Sequence, residues 1–329
     1  VQMVGTAHRA GIYVILDIIL NHTGDVFGYT PDRYTTIDGG MDPRWDGRPY
    51  AVRGFHDAHG RPSLPFELVN LEQHPSAWPD GAIWPIEFQE PTVFTQQGHI
   101  TNWDYEPEFL NGDFFDLKDL HLGQGTIDTY QPSHTLLALC QVYKFWMALA
   151  DVDGFRVDTV KHMDPGAARF FTSVIHEFAA SLGKENFYLI GEITGGRERA
   201  FNTLEQTGLD AALGIDDIPD KLEYLVKGYR NPSDYFGLFR NSLLVQKESH
   251  VWFRNKIVTL FDDHDQVRKG PHKARFCADD VGEKLLPNAL ALNATTLGIP
   301  CIYYGTEQGF DGAGDNDRYI RESMFGGLF

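Results

Sequence analysis

Residues 12–20 read Ile-Tyr-Val-Ile-Leu-Asp-Ile-Ile-Leu, an almost unbroken apolar run. Runs of this kind are typical of parallel β-strands that are covered on both faces. Further short apolar stretches follow along the chain and alternate with segments of helical periodicity. The predicted strands are residues 12–20, 152–160, 187–193, 211–216, 256–262 and 300–304, and the predicted helices are residues 135–150, 165–183, 197–207, 219–228, 232–245 and 284–297. Repeated βα units predict an α/β fold with a parallel sheet.

Polar side chains cluster where these predicted strands end. Functional residues lie at the carboxyl ends of parallel strands in β/α barrels and in open doubly wound sheets. No glycine-rich phosphate loop follows any of the strands, which disfavours a nucleotide-binding doubly wound sheet. We therefore expect a barrel. The polar clusters are Asp17 with Asn21 and His22, then Asp158, then Glu192, then Asp262 to Asp265, then Glu307.

One long segment interrupts the alternation of strands and helices. Residues 23–134 separate the first predicted strand from its helix and are rich in Gly, Pro, Asp and aromatic residues. A structureless loop of that length is implausible inside a compact domain. We expect residues 1–22 and 135–329 to form the barrel and residues 23–134 to form a subdomain inserted at its catalytic end.

Composition excludes several classes of protein. The formal net charge of −18 disfavours a nucleic-acid partner. No stretch reaches the ~18 uncharged apolar residues of a membrane helix. The chain has only three cysteines, an odd and low number that argues against a disulfide framework, although a single disulfide bond is possible. Buried free thiols are expected for Cys140, in an apolar helical stretch, and Cys301, in an apolar strand.

Three of the strand-end acids fit one chemistry. Cleavage of a glycosidic bond needs one carboxyl group to protonate the leaving oxygen and another to support the oxocarbenium-like carbon. Asp158, Glu192 and Asp265 each end a predicted strand, so the fold brings them to the same edge. A single strand-end acid could instead cap the following helix. Arg156 lies two residues before Asp158, on the same strand face, where it either keeps that carboxylate ionised or forms a structural ion pair.

Five ordered motifs resemble the α-amylase family of retaining glycoside hydrolases, which have a (β/α)8 barrel. The resemblance runs from about residue 4 to the end, and the chain matches the motifs of the third to the eighth strand. An Asp at position 263 departs from the commoner Asn. The motifs are Asp17-x-x-x-Asn21-His22, Gly154-Phe-Arg-Val-Asp-Thr-Val-Lys-His162, Gly191-Glu192, Leu260-Phe-Asp-Asp-His-Asp265, and Gly298-Ile-Pro300 with Tyr303-Tyr-Gly-Thr-Glu307.

The resemblance implies a role for each matching residue. Asp158 resembles the nucleophile, Glu192 the acid/base and Asp265 the third acid, which binds ring hydroxyls. We expect the pKa of Glu192 to be raised by burial and by the two other acids. The residues expected to bind substrate are His22, Arg156, Lys161, His162 and His264. Without the motifs, His22 and His264 would be read as core histidines.

The resemblance also implies a structural calcium ion. Asn21 matches the calcium-binding asparagine, Asp119 in Leu117-Lys-Asp-Leu120 resembles a second ligand, and His162 would contribute its backbone carbonyl. Such oxygen ligands suit Ca²⁺. Asp113, Asp116 and Asp128 lie near Asp119 and are alternatives, and a subdomain docked by hydrogen bonds alone is the other interpretation.

The implied activity is hydrolysis of α-1,4-glucan by an α-amylase. Transglycosylation or isomerisation through the same glycosyl-enzyme is the alternative, and a non-catalytic scaffold is a remote one, because such relatives typically lose a catalytic acid. The first two barrel strands are not recognisable, so we expect a partial chain of a longer protein. The insertion carries four of the six tryptophans, which either stack on sugars or, for most of them, form its core: Trp45, Trp78, Trp84 and Trp103.

Overall fold

The computed structural model describes residues 1–30, 34–37, 40–56, 62–64, 88, 90–215, 217–240, 255–265, 268–269 and 272–325. The strands in these residues are β1 (Ile15–Ile18), β2 (His22–Gly24), β3 (Phe27–Tyr29), β4 (Thr35–Ile37), β5 (Gly40–Asp42), β6 (Val52–His56), β7 (Pro62–Leu64), β8 (Leu117–Asp119), β9 (Gly123–Gln124), β10 (Gln131–Pro132), β11 (Gly154–Val157), β12 (Tyr188–Gly195), β13 (Ala211–Ile215), β14 (Val258–Thr259), β15 (Arg268–Lys269), β16 (His272–Lys273) and β17 (Ile299–Pro300). The helices are α1 (Gln2–Arg9), α2 (Glu108–Asn111), α3 (His134–Ala150), α4 (Pro165–Ser181), α5 (Arg197–Thr207), α6 (Asp217–Val226), α7 (Pro232–Phe236), α8 (Asp280–Thr295) and α9 (Asp317–Ile320).

The chain divides into two compact units. The first comprises residues 1–191 and 206–208, and the second comprises residues 192–205 and 209–329. This division does not separate the predicted inserted subdomain from the predicted barrel, so that assignment stays a prediction.

Parallel strands form the centre of the first unit. Strand β1 pairs with β11 from Ile15 opposite Gly154 to Ile18 opposite Val157. Strand β11 pairs in turn with β12, and its last register pair is Val157 with Gly191. Helices α3 and α4 cover the sheet with apolar side chains, since Tyr143 of α3 packs edge-on against Phe155 of β11 at 5.6 Å between ring centroids. The predicted parallel βα arrangement is therefore confirmed here.

The second unit continues the same pattern. Strand β13 is the next member of the sheet after β12. A parallel bridge joins Ala212 of β13 to Ile257, and β14 pairs in parallel with β17 from Val258 opposite Ile299. All six predicted strands thus overlap observed ones, although residues 300–304 do so only at Pro300, where β17 ends.

Most observed strands are shorter than the apolar runs that predicted them, but β12 (Tyr188–Gly195) runs two residues past its predicted end at residue 193. Residues 12–20 give a strand only at Ile15–Ile18, and residues 256–262 give one only at Val258–Thr259. Most helix bounds were closer to the prediction because capping residues define them, but α7, predicted as residues 232–245, ends at Phe236, and residues 241–245 lie outside the described residues. Asp164 accepts a hydrogen bond from the Gly166 N–H at 2.7 Å and starts α4 at Pro165.

One expectation about buried residues was wrong. Cys140 is buried, as predicted, but Cys301 is exposed, and all three cysteines are free thiols. Cys301 lies beyond the end of β17 at Pro300 and is therefore outside the sheet core in which it was expected.

Within the described residues, no helix has both the length and the apolarity that crossing a bilayer requires.

The long segment after β1 has its own antiparallel strands. Strand β2, which opens it, pairs with β8 near its end, with His22 opposite Asp119. A buried cluster supports this pair: the Tyr29 hydroxyl donates to Asp113 at 2.5 Å, and Lys118 lies 3.6 Å from the same carboxylate. Trp78 and Trp84 lie outside the described residues, whereas Trp103 is 44% exposed and does not belong to a core.

Candidate active site

Asp158 follows directly after β11 and is fixed by its backbone and by Arg156. Its N–H donates to the Ile18 carbonyl at 2.9 Å. The Arg156 guanidinium hydrogen-bonds the Asp158 carboxylate and also Asp17 Oδ1 at 2.9 Å. The three side chains meet because Arg156 and Asp158 share one face of the strand and Asp17 is the register partner of Arg156. A largely buried cation therefore lies beside the carboxylate expected to act as nucleophile.

His22 lies on the other side of Asp158. Its Nε2 is 3.8 Å from Asp158 Oδ2, and its ring packs on Phe114 at 5.2 Å between centroids. Burial lowers the pKa of His22, although the charge of Asp158 partly opposes this. The imidazole is therefore held neutral, in a form that can both donate and accept a hydrogen bond.

Lys161 and His162 occupy a short helical turn, Val160–His162, that follows Asp158. Lys161 Nζ lies 3.2 Å from Asp104. The His162 ring is buried, with Nδ1 2.8 Å from the Phe109 carbonyl, and it packs edge-on against Phe114 at 4.7 Å between centroids. The Trp103 ring lies edge-on to it at 5.5 Å between centroids, so the imidazole is held by aromatic packing, and its expected contact with substrate stays a prediction.

Glu192 lies on β12, in the second unit, and is partly buried. Gly214 of β13 has φ +83, and a Cβ atom placed on it would lie 3.2 Å from Glu192 Cγ. A larger residue at 214 would therefore crowd the Glu192 side chain. The expectation of a raised pKa for Glu192 stays a prediction.

Asp265, also in the second unit, has a donor at each carboxylate oxygen. His264 Nε2 lies 3.0 Å from Oδ2, and Arg321 Nη2 donates to Oδ1 at 2.5 Å. The hydrogen bond with His264 and the positive charge of Arg321 lower the pKa of Asp265 to about 2. Asp265 is therefore an anion over the whole range in which proteins normally work.

Asp262, three residues before Asp265, is an acid with a structural role. It is buried and accepts hydrogen bonds from the Phe276 N–H at 2.7 Å and the Thr306 hydroxyl at 3.1 Å. Burial raises its pKa to about 6. These bonds tie the segment after β14 to the segment after β17, and they leave Asp262 no oxygen free of a partner.

The proposed calcium ligands lie together in the first unit. Asn21 Nδ2 donates to Asp119 Oδ1 at 3.0 Å, while Asp119 Oδ2 is buried and has no hydrogen-bond partner among the described residues. Burial, with the nearby charge of Asp113, raises the pKa of Asp119. Asn21 and His162 both line a cavity of about 210 Å³. A buried carboxylate oxygen without a hydrogen-bond partner, on a residue bonded to the cavity-lining Asn21, fits a cation.

No group of three His, Cys, Asp or Glu side chains in the described ranges is placed to hold a metal ion. A cation here would have to take amide, backbone and water oxygens in addition to Asp119. This is the mixed oxygen set that Ca²⁺ accepts.

Some residues of the site have no signal in the sequence. Arg321 reaches Asp265 across 56 positions, and Asp104 reaches Lys161 across 57. Neither follows a strand, and neither lies in one of the motifs. Phe114, between His22 and His162, is likewise one aromatic residue among many in its segment.

Comparison with known proteins now identifies the family. The family described as Alpha amylase, catalytic domain, matches residues 1–324. The chain belongs to this family. The predicted family is therefore confirmed, and membership places the chain among enzymes that act on glycosidic bonds. Calcium and a retaining mechanism are typical of the family.

Curated relatives of this α-amylase-family chain have two different activities in their names. An α-amylase from Streptomyces lividans is 27% identical, over 98% of this chain and 34% of the relative. A cyclomaltodextrin glucanotransferase from Klebsiella oxytoca is 29% identical, over 71% of this chain and 38% of the relative. The chain thus spans about a third of the length of these relatives.

Solved structures confirm the fold class. An Anoxybacillus α-amylase aligns with a TM-score of 0.64 at 20% identity, covering 97% of this chain and 54% of that one. A cyclomaltodextrin glucanotransferase with a three-domain ABC distribution also gives 0.64, at 23% identity, covering 98% and 54%. Together with the family match, these likenesses confirm the predicted (β/α)8 barrel class.

Proposed function

We propose that this chain is the catalytic part of an α-amylase that hydrolyses α-1,4-glucosidic bonds in α-glucans with retention of configuration. The observation that carries the proposal is the Arg156 guanidinium bound to the Asp158 carboxylate, with neutral His22 at 3.8 Å. A buried guanidinium fixes the orientation of a nucleophilic carboxylate, and a neutral imidazole can hydrogen-bond a sugar hydroxyl.

In this proposal the reaction has two displacements. An Asp158 oxygen attacks the anomeric carbon while Glu192 donates a proton to the departing glycosidic oxygen. Glu192 then removes a proton from water, which attacks the same carbon and releases Asp158. The register pair of Val157 with Gly191 supports this assignment, because Asp158 and Glu192 each follow one of those residues along the chain.

Asp265 would supply the third acid function. As an anion it accepts hydrogen bonds from ring hydroxyls and stabilises the positive charge that develops on the sugar. Its lowered pKa, about 2, supports the role of acceptor and speaks against that of proton donor. His264 contacts Asp265 through the carboxylate oxygen Oδ2. Lys161 would contact the acceptor sugar.

Calcium would be held by Asn21, Asp119 and the backbone carbonyl of His162. The ion would neutralise the buried Asp119 carboxylate and stabilise the β2–β8 pair next to His22. Its function in this proposal is structural. The predicted division into a barrel, residues 1–22 and 135–329, and an inserted subdomain, residues 23–134, is supported by the same pair, which joins the two ends of the insertion.

A second candidate is an α-glucan glucanotransferase, which would pass the glycosyl group to a sugar and not to water. One observation favours it besides the names of the relatives. Trp103 is 44% exposed and its ring lies 5.5 Å from the His162 ring, and an exposed aromatic ring can stack on an acceptor sugar. A non-catalytic scaffold is less favoured, since all three acids are present, whereas isomerisation through the same glycosyl-enzyme stays an alternative.

The two candidates are separated by incubating the protein with soluble starch and with maltoheptaose, alongside the Asp158→Asn variant. NMR would follow the anomer released, and a reducing-end assay would count the bonds hydrolysed. New reducing ends in the α configuration, lost in the variant, support the hydrolase. Chain redistribution without new reducing ends supports the transferase, and equal activity in the variant contradicts both.

A further inference from the structure

Arg321 contacts two successive residues of the proposed site. Its Nη2 donates to Asp265 Oδ1 at 2.5 Å, and its Nε donates to the His264 carbonyl oxygen at 2.9 Å. The planar guanidinium fork thus holds the backbone before the third acid and the carboxylate itself. Lysine, with a single ammonium group, cannot reproduce both bonds in this geometry.

The backbone that carries Arg321 is itself anchored. Arg321 ends helix α9, where its N–H donates to the Asp317 carbonyl at 2.9 Å. The carbonyl of the preceding residue, Ile320, accepts two bonds from the fully buried Arg275, from Nη2 at 2.6 Å and from Nε at 3.2 Å. Arg275 also donates to the Tyr304 carbonyl at 2.9 Å. The starting point of the Arg321 side chain is therefore fixed by a buried hydrogen-bond network.

We propose that Arg321 is a positioning residue that holds the Asp265 carboxylate in the orientation that receives the ring hydroxyls of an α-glucan. The proposal rests on the function of Asp265 proposed above. Without a partner, the Asp265 side chain, 49% exposed, would be free to rotate. Each carboxylate oxygen has two lone pairs, so a sugar hydroxyl can still bond after His264 and Arg321 have each taken one.

Charged groups around Asp265 come from its own strand end and from the segment after α9. His264 and Arg321 lower the pKa of Asp265, and its N–H donates to Asp263 Oδ1 at 2.8 Å. Because His264 remains in place, removing Arg321 should raise the pKa only part of the way to the ordinary value. Asp265 therefore stays an ionised acceptor with or without Arg321, and the contribution of Arg321 is the orientation of the carboxylate.

Kinetics provide the first test. Arg321→Ala should lower kcat about 10- to 100-fold with little change in KM, and Arg321→Lys should recover only part of the loss. Added guanidinium ion should restore activity to Arg321→Ala and not to wild type. In an Asp265→Asn background, Arg321→Ala should have little further effect. Arg230→Ala, at an exposed arginine stacked on Tyr224, is the control and should keep wild-type activity.

A second test does not depend on catalysis. Aspartate labelled with ¹³C at the carboxyl carbon, assigned with Asp265→Asn, gives the pKa of Asp265 by NMR in each variant. We expect a value of about 2 in the wild type and in Arg230→Ala, and a higher value in Arg321→Ala. An unchanged value, or fully additive losses in the double variant, would overturn the proposal. A raised value in a protein inactive on every α-glucan would leave the clamp standing and reject the proposed function.

Discussion

Replacing Arg156 with glutamine removes the cation beside the proposed nucleophile and leaves the rest of the strand unchanged. The side chains of Arg156 and Asp158 are 11% and 15% exposed, so solvent screens their attraction only in part. Unit charges about 4 Å apart attract by about 4 kcal/mol at an effective dielectric constant of about 20. Asp17 is 55% exposed and contributes little.

Part of this attraction is recovered because the amide of the introduced glutamine can still donate a hydrogen bond. Without the guanidinium the carboxylate can turn away from the line of attack, and we expect this misplacement to cost about 3 kcal/mol of transition-state stabilisation. At 1.36 kcal/mol for each tenfold change, this corresponds to a fall in kcat/KM of roughly 100-fold. The melting temperature should also fall, since an unpaired carboxylate remains in the sheet.

The assay is the initial rate of hydrolysis of a chromogenic maltooligosaccharide, with thermal unfolding measured on the same samples. Arg169→Gln is the matched control, because Arg169 and Asp128 form a surface pair, 51% and 81% exposed, at 3.5 Å. Surface pairs of this kind contribute about 0–1 kcal/mol, so the control should stay close to wild type in both measurements. A loss of less than about fivefold for Arg156→Gln in a folded protein would refute the reasoning.

Three further predictions concern the first unit. Chelation of calcium should lower the melting temperature, because a ligand present at about 100 times its Kd stabilises the folded state by about 2.7 kcal/mol. Asp119→Asn removes a proposed ligand and should abolish that response. Tyr29→Phe should lower the free energy of unfolding by about 1–3 kcal/mol, because the buried Asp113 carboxylate loses the hydroxyl at 2.5 Å. The pKa of His22, measured by NMR, should lie below the ordinary value of 6.5, because burial disfavours the charged ring. The ring should therefore stay neutral to a lower pH than a solvent-exposed histidine.

Each of these predictions has its own control or contrary outcome. Asp116→Asn, at a nearby exposed acid, should keep the calcium response, and a response that survives Asp119→Asn would reject the assigned ligand. Tyr13→Phe is the control for Tyr29→Phe and should not change the free energy of unfolding, because Tyr13 is 82% exposed. A His22 pKa at or above its ordinary value would mean that the attraction of Asp158 outweighs burial.

The sequence predicted the barrel elements because their signals are local. Apolar runs marked all six parallel strands, and residues 197–207 predicted helix α5 at its observed bounds, Arg197–Thr207. Strand lengths were overestimated, since an apolar run continues past the last ladder hydrogen bond. Cys301 shows the consequence. Its neighbours in the sequence are apolar, but Cys301 lies just beyond the end of the strand and is exposed.

The site was predictable only where residues follow a strand. Strand alternation accounts for the Arg156–Asp158 pair, and no longer-range information was needed for it. Arg321 and Asp104 instead reach their partners through segments whose course depends on tertiary packing, such as the bonds from buried Arg275 to Ile320. The structural use of the His162 imidazole was also hidden, because the aromatic residues around it come from a segment about 50 positions away.

The central claim is that Asp158 forms the covalent glycosyl intermediate. The Glu192→Gln variant should be mixed with α-maltosyl fluoride, whose leaving group needs no proton, and analysed by intact-mass and peptide mass spectrometry. Without its general base the intermediate should hydrolyse slowly and accumulate. The account predicts one added maltosyl group, located on Asp158 and absent from a variant that also carries Asp158→Asn. An adduct on another residue, or turnover of the fluoride by that double variant, would contradict it.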